Sequence, residues 1–466
     1  MNFKFNVRPA LYDNDVAAWI PKLWAWAAID VLEANTMALM TVNQDFSDDF
    51  ASFGDTVNTR RPHAFTAHNK HIGDDVTDQD VTADNVPIVL NQHVHVSFTI
   101  DDKDHTLAFP QLMAKYIENA GKALADRVDK VVLGQVYRFV HNQAGSLGGL
   151  TDSNGVAALT GVRKVLQKNL APEADRWLAV GPNSEALLLQ NTVFHEVDKS
   201  GFTAGLRAAV LGEKFGFNCW GGQNVPSLDG GVSLGTGAIN NSPDGYPTGT
   251  TVLTVNGFGA SEVLPGDWIK LGGHVYHVIA TDNATATQLT LEYGLKAGVA
   301  HAAAITVYDE CTVDNANDYA AGWSKEIAID DLGSNAPQVG QMVTFTRNTG
   351  GVGTDRYCIV RTDGATYIQL DRPLEAALEN DDVINLGPIG GDFDFAYQRN
   401  AMTVAIRPLT PIEDGIGARS AVVSARGLTV RATISYDGKA QKRRVTLDFL
   451  MGVQVLDEKK GAAMLA

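Results

Sequence analysis

Residues 109–140 have the sequence FPQLMAKYIENAGKALADRVDKVVLGQVYRFV, and this stretch decides the fold. Its apolar side chains recur mostly at steps of three or four residues, at Met113, Ile117, Ala120, Leu124, Val128, Val131 and Leu133. This period predicts an amphipathic helix, in which Glu118 and Lys122 form a correctly ordered i,i+4 pair. Counted from Pro110, about 31 residues at a rise of about 1.5 Å give a helix of roughly 46 Å. Helices in globular proteins are usually shorter, so we expect this one to cross a whole domain.

A projecting hairpin is predicted ahead of this helix. Residues 86–100 (VPIVLNQHVHVSFTI) alternate between an apolar face and a polar face that carries His93 and His95. Residues 57–61 form a shorter strand, and the residues in between, 64–85, are rich in Thr, Asp, Asn and His. So long a polar excursion is unusual inside a compact domain and generally has a function. We therefore expect two strands that flank an extended loop.

Downstream of the helix, the sequence predicts an α/β domain that is interrupted by an all-β segment. Residues 150–225 alternate helix-like and strand-like pieces, whereas residues 250–390 contain almost only short strands. The α/β character returns in residues 395–409, and residues 428–456 predict a final hairpin. The fold class is therefore α+β with an all-β insertion.

The insertion contains an internal repeat. Each copy has a glycine that opens a strand, a second strand, an Asp-led turn and a third strand. The glycines are Gly266 and Gly340, and the turns begin at Asp282 and Asp363. Two tandem small β-barrels or sandwiches would fit this spacing.

Composition and charge exclude several functional classes. The chain has 466 residues, of which 45% are hydrophobic, which is typical of a globular protein. Lys plus Arg minus Asp plus Glu is 37 − 54 = −17, so no basic footprint for nucleic acid is visible. The three cysteines have neither metal nor redox spacing. A disulfide framework is not expected.

The N-terminal stretch 16–40 is the most apolar early segment, but charges such as Asp30 and Glu33 interrupt it. A membrane span is therefore not expected. An amphipathic helix is a better interpretation, and Trp19 and Trp26 lie on its apolar stripe. A stripe this rich in tryptophan needs a covering surface, either from the same chain or from a neighbouring copy.

No catalytic or cofactor motif is present: the sequence lacks a phosphate-binding glycine loop, a dinucleotide fingerprint, a paired-histidine zinc helix and a nucleophile elbow. We therefore expect no enzyme activity, cofactor or metal. Asp392 and Asp394 are interpreted as solvated turn acids.

Two pairs of residues suggest contacts instead of catalysis. His93 and His95 share a strand face that a metal could use, although a polar solvent or inter-subunit face is the simpler interpretation. Arg60 and Arg61 form either a surface pair or a salt bridge to a neighbouring subunit. The candidate assembly contacts are Trp19, Trp26, Arg60, Arg61, His93 and His95.

The order of these parts resembles the major capsid proteins of tailed double-stranded-DNA bacteriophages, most of all the podophage coat-protein branch with an inserted domain. Residues 395–409 (FAYQRNAMTVAIRPL) look like the axial-domain strand of that family, and residues 54–62 (GDTVNTRRP) resemble the entry to its projecting hairpin. The resemblance implies the tailed-phage capsid fold (HK-ninety-seven-like). The insertion departs from the branch because it holds two β units.

The domains that the resemblance implies are an N-terminal arm (1–48), an extended hairpin (49–104), a spine helix with the peripheral domain (105–148), an axial domain (149–226), the β-rich insertion (227–390), the axial return (391–414) and the peripheral return (415–466).

The resemblance also implies a function: self-assembly into an icosahedral shell around a double-stranded DNA genome. Its partners would be further copies of the chain in hexamers and pentamers, scaffolding and portal proteins, and DNA held mainly by confinement, with no membrane. The protein would belong to the virion and assemble in the host cytoplasm. Two alternatives remain, an encapsulin-like compartment around cargo protein and a glycan- or receptor-binding virion protein that uses residues 250–390. An enzyme is the least favoured class.

Overall fold

The computed structural model describes residues 22, 25–32, 36–45, 56–61, 65–73, 75, 76, 78–80, 84–200, 208–314, 318–348, 351–412, 418–425 and 428–466. Its contacts divide the chain into two compact units. The first unit is Met1–Thr36, His93–Asp126 and Ile406–Met451, and the second is Met37–Gln92, Arg127–Ala405 and Gly452–Ala466.

Residues 25–32 are helical. The further α-helices are α1 (Met37–Thr41), α2 (Asp102–Gly134), α3 (Gly155–Lys168), α4 (Pro182–Gln190), α5 (Thr192–His195) and α6 (Val197–Ser200). Short 3-10 helices cover Gln135–Phe139, Arg399–Ala401 and Glu458–Lys460. The strands up to the insertion are β1 (Thr56–Arg61), β2 (Asp84–Val89), β3 (Gln92–Asp101), β4 (Gln143–Gly145), β5 (Arg176–Val180), β6 (Gly212–Lys214), β7 (Phe217–Gly221) and β8 (Ser227–Leu228).

The insertion and the return segment are almost wholly extended. The insertion contains β9 (Gly235–Ile239), β10 (Val252–Asn256), β11 (Trp268–Leu271), β12 (His274–Thr281), β13 (Gln288–Leu291), β14 (Ala304–Val307), β15 (Glu310–Val313), β16 (Ile327–Asp330), β17 (Met342–Arg347), β18 (Gly351–Val352), β19 (Tyr357–Thr362), β20 (Tyr367–Leu370) and β21 (Val383–Leu386). The return segment contains β22 (Gly391–Gln398), β23 (Met402–Arg407), β24 (Ala418–Ala425), β25 (Leu428–Asp437), β26 (Lys442–Val455) and β27 (Gly461–Leu465).

The long helix is present, with shifted ends. It begins at Asp102, not at Pro110, and it gives way to the 3-10 helix after Gly134. Acidic residues in a first turn favour the N-terminus of a helix, and Asp102 and Asp104 supply them. Pro110 therefore lies inside the helix and removes one backbone hydrogen bond there. The apolar stripe predicted for its second half is buried, at Ile117, Ala120, Leu124, Val128, Val131 and Leu133.

The strand predicted over residues 86–100 is split into β2 and β3, which join different sheets. β2 pairs with β1, so that Arg60 lies opposite Asn85 and Arg61 opposite Asp84. β3 pairs with β26. The apolar and polar faces predicted for residues 86–100 are nevertheless observed in both segments. Val86, Ile88, Leu90 and Ile100 are buried, whereas His93 and His95 are exposed.

The second unit contains an α/β sheet with the strand order β4-β27-β22-β5-β7-β6. Its core packs α3 and α4 against the sheet through residues such as Leu159, Leu178, Leu188 and Met464. The last strand, β27, runs parallel to β4 and antiparallel to β22. No local signal in the sequence predicted that the chain returns to this sheet after the final hairpin.

The insertion forms two six-stranded barrels of the same topology, which confirms the predicted tandem repeat and the α+β fold class. The first barrel has the cyclic order β10-β13-β12-β11-β14-β9. The second has the order β16-β20-β19-β17-β21-β15, closed by pairing between β15 and β16, and it carries β18 as an addition. Each barrel has its own apolar core.

Corresponding positions make the same bonds in the two barrels. The N–H of Gly266 donates to Val278 O at 2.7 Å, and the N–H of Gly340 donates to Ile359 O at 2.7 Å. Both glycines have positive φ angles, 111° and 90°, which favour glycine. The Asp-led turns also correspond, because Asp282 accepts from the N–H of Thr287 and Asp363 from the N–H of Thr366.

Candidate assembly surface

The loop between β1 and β2 carries the most exposed large apolar side chain among the described residues, that of Ile72. Apart from Gln79, which is partly buried, every described residue from 65 to 80 is exposed. Three of these are large and apolar: Phe65 is 66% exposed, Ile72 96% and Val76 70%. Proteins rarely expose apolar residues this fully in one segment unless a partner covers them.

Hydrogen bonds hold the two limbs of this loop together beyond the β1–β2 ladder. The N–H of Thr66 donates to Gln79 Oε1 at 2.9 Å, and Gln79 Nε2 donates back to Thr66 O. The two limbs of the loop are thus bonded to each other between Thr66 and Gln79.

The N-terminal helical residues 25–32 have one covered face and one open face. Ala25, Ala28, Ile29 and Leu32 are buried, whereas Trp26 is 43% exposed. Trp26 therefore presents its ring on the outer side of this helix. Trp19, the other predicted tryptophan contact, lies outside the described residues.

His93 and His95 lie side by side on the exposed face of β3, with their ring centroids 5.8 Å apart. His93 Nε2 is 3.2 Å from Asp448 Oδ2. Asp448 is buried and accepts from Arg431 through Nε at 2.9 Å and Nη2 at 2.5 Å. The sequence did not identify Asp448 as a neighbour, because the two positions lie 355 residues apart in the chain.

This histidine cluster lacks the ligands of a metal site. Within the described residues, no group of three or more His, Cys, Asp or Glu side chains could hold a metal ion. Asp448 is already engaged by a bidentate guanidinium, which is a strong and geometrically specific pairing.

Asp392 and Asp394 are buried, so their interpretation as solvated turn acids is wrong. They accept hydrogen bonds at the N-terminus of α4: Asp394 Oδ1 from the N–H of Gly181 at 2.6 Å, and Asp392 Oδ2 from the N–H of Ser184 at 2.9 Å. Burial raises the pKa of Asp394 well above its usual value, and the nearby Asp392 adds to this rise. The pair therefore stabilises the fold and does not face solvent.

No described helix is both long enough and apolar enough to cross a lipid bilayer.

Comparison with known proteins gives structural likeness only. No family model matches the sequence, and no curated protein is significantly similar to it. Among solved structures, one titled "Mycobacterium phage Che8" is 13% identical, with 92% of this chain and 90% of that chain covered at a TM-score of 0.45. The "Capsid structure of the Cyanophage P-SCSP1u" is 11% identical, with coverage of 89% and 84% and a TM-score of 0.42.

A third similar structure, the "Asymmetric unit of bacteriophage PhiM1 mature capsid", is 10% identical, with coverage of 88% and 81% and a TM-score of 0.38. The titles of these three structures name phages and capsids.

Proposed function

We propose that this chain is the structural subunit of a tailed-phage capsid, an icosahedral shell that encloses a double-stranded DNA genome. The observation that carries this proposal is the hairpin loop between β1 and β2, where Phe65, Ile72 and Val76 are exposed. A shell of identical copies supplies every such loop with the same foreign surface.

Many small contacts between subunits would together stabilise such a shell. Covering apolar surface stabilises by about 25 cal/mol per Å², so one loop contributes only a few kcal/mol. Each subunit in a shell makes such contacts with several neighbours at once. Linked contacts of this kind add through multivalency, which makes a closed shell stable although single interfaces are modest.

The candidate contact residues fit this scheme. Trp26 is available on the outer side of the N-terminal helical segment, and His93 and His95 on the exposed face of β3. Arg60 and Arg61 lie in β1, at the base of the exposed loop. We assign all of them, together with Trp19, to contacts between subunits.

The remaining features of the proposal follow from a shell role. The role is structural and not catalytic, and hexamers and pentamers are the expected assemblies. Scaffolding and portal proteins are the expected partners during assembly in the host cytoplasm, and the finished protein belongs to the virion. A net charge of −17 suits a container that confines DNA without adhering to it.

The insertion is proposed to lie on the exterior or at contacts between capsomers. Within the second unit it is anchored to its own chain: Lys270 Nζ donates to Leu147 O at 2.7 Å, and Gln143 exchanges two hydrogen bonds with the backbone of Val275. Such anchoring supports a rigid appendage in preference to a flexible module.

Size-exclusion chromatography and negative-stain microscopy of the purified full chain test the proposal. Shells or ring-shaped capsomers are expected. A freely diffusing monomer at high concentration would refute it, and a monomer or trimer that retains glycan would favour a receptor-binding protein. Shells that enclose a cargo protein in place of DNA would indicate an encapsulin-like compartment.

A further inference from the structure

A polar cavity of about 320 Å³ opens in the second unit, between the two barrels, the 3-10 helix Gln135–Phe139 and Glu458. This volume falls at the lower end of the range for small-molecule sites. Three arginines line it, Arg138, Arg356 and Arg372. A guanidinium has five N–H donors in a fixed planar arrangement, which matches the oxygens of a phosphate or carboxylate.

Two of these arginines are held by carboxylates of the barrels. Arg356 Nη2 lies 2.6 Å from Glu292 Oε2, and Arg372 lies 3.4 Å from Asp371 and 3.3 Å from Glu375. The Nε of Arg356 is buried and has no hydrogen-bond partner among the described residues. A buried donor without a partner is rare and costs free energy.

Arg138 differs from both, because no close ion pair or hydrogen bond to its guanidinium is found in the part of the chain that the structure describes. Burial lowers the pKa of Arg138, and the like charge of Arg372 lowers it further, against the opposing effect of Glu375. A partly buried cation beside a second cation is a position where a bound anion would be stabilising.

Two of the acidic groups that line the cavity, Glu292 and Glu458, lie beside basic side chains. Glu292 is bonded to His277 Nδ1 at 2.9 Å as well as to Arg356, and Glu458 lies 3.9 Å from His141 Nε2. Burial raises the pKa of Asp355, and Glu375 raises it further.

The cavity also lies where the two barrels have diverged. Glu292 N–H donates to His277 O at 3.0 Å, and the equivalent Asp371 N–H donates to Cys358 O at 2.9 Å. The next residue in each copy lines the cavity, and it is a tyrosine, Tyr293, in the first barrel but an arginine, Arg372, in the second. The second copy therefore adds a positive charge at this position.

We propose that this cavity binds a small oxyanion of the phosphate class, with Arg138 as its principal ligand and Arg356 and Arg372 as supporting charges. The anion supplies the close ion-pair partner that Arg138 does not have among the described residues. Two sources share this chemistry, free inorganic phosphate and the phosphate group of a nucleotide.

Isothermal titration calorimetry of the full chain with inorganic phosphate, against sodium chloride at equal ionic strength, tests this inference. Saturable binding is expected for the wild-type protein, and an affinity at least about tenfold lower is expected for Arg138→Gln. A parallel titration with a deoxynucleoside monophosphate identifies the source: tighter binding than inorganic phosphate indicates a nucleotide, and equal or weaker binding indicates the free anion.

The matched control is Arg361→Gln, because Arg361 is exposed and pairs with Glu326 away from the cavity. This variant should bind phosphate as the wild type does. If Arg138→Gln does not fold, Arg138→Lys keeps the charge without the planar set of donors and should still bind more weakly than the wild type. No saturable binding to the wild type, or equal affinity in the wild type and the folded Arg138 variant, would overturn the proposal.

Discussion

Asp392 Oδ2 lies 2.9 Å from the backbone nitrogen of Ser184, at the first turn of α4. The same oxygen accepts from the Ser184 hydroxyl at 3.1 Å, and Oδ1 accepts from the Ser227 hydroxyl at 2.6 Å. A carboxylate from β22 therefore caps the N-terminus of α4, the helix that follows β5. This contact fixes α4 on the sheet and joins two segments that are distant in sequence.

Asp392→Ala should lower the free energy of unfolding by about 2 to 4 kcal/mol, because it leaves several buried donors without an acceptor. Urea titration followed by circular dichroism measures the change. Asp244→Ala is the control, since Asp244 is exposed, and it should change stability by less than about 0.5 kcal/mol. Equal stability of the two variants would contradict the capping role.

Asp267 should make the stability of the protein depend on pH. Its Oδ2 accepts from the N–H of Leu264 at 2.7 Å. Burial is the main cause that raises the pKa of Asp267 to about 8, from 3.8 in the unfolded reference. Between these two values the unfolded chain loses a proton that the folded chain keeps. Stability therefore falls as pH rises through this window, by up to about 1.4 kcal/mol per pH unit.

Asp267→Asn removes this titration, so its stability relative to the wild type should increase from about pH 5 to about pH 7. Urea titrations of both proteins at each pH measure the difference. The second barrel provides the control: Gln341 occupies the equivalent position, and its Oε1 accepts from the N–H of Gln338 at 3.0 Å. Gln341→Asn should change stability equally at both pH values. A pH-independent effect of Asp267→Asn would show that Asp267 is not protonated in the fold.

Gly134 is required where the long helix α2 meets the second barrel. A Cβ added there would lie 2.7 Å from Cys358 Cβ. The backbone of Gly134 is in the ordinary helical region, so the barrier to alanine is steric. Gly134→Ala should therefore destabilise the chain by about 1 to 3 kcal/mol through overpacking.

A thermal-denaturation series measures this effect, with Gly438→Ala as the control, because the nearest atom to a Cβ at Gly438 is 4.0 Å away. If Gly134→Ala melted at the wild-type temperature, the close packing of α2 on the barrel would be refuted.

The sequence predicted those parts of the fold that local signals determine. The long helix follows from its period, and the two barrels follow from repeated turn residues such as Gly266, Gly340, Asp282 and Asp363. These residues are needed for local backbone geometry, so the same residue types recur at corresponding positions in both copies. The exposed loop could be predicted for the same reason, since its polar composition is local.

The remaining features depend on partners that are distant in sequence. Asp394 lies in an apolar run and caps Gly181, which is 213 residues away, so nothing local separates it from a solvated acid. The strand β27 is a short run of small and apolar residues that is buried throughout, and such a run has no period to detect. The sequence predicted Trp26, His93 and His95 as candidate contact residues, but it did not predict the contact between His93 and Asp448.

Ile72→Asp should prevent shell assembly without destabilising the subunit. Ile72 is 96% exposed, so the substitution should change the free energy of unfolding by less than about 0.5 kcal/mol. In an assembled shell, however, the new carboxylate would be buried against a neighbouring copy, and an unpaired buried charge is strongly unfavourable. Sedimentation velocity and electron microscopy measure the fraction of protein in shells.

Leu170→Asp is the matched control for this prediction, because Leu170 is 89% exposed and lies outside the hairpin loop. It should assemble as the wild type does and be equally stable to urea. Loss of shells in the Ile72 variant alone would tie assembly to the loop between β1 and β2. An apolar contact that is buried in every interface cannot tolerate a charge, whereas the exposed surface at Leu170 can. Shells of normal size from Ile72→Asp, or loss of assembly in both variants, would therefore contradict a specific role for this loop.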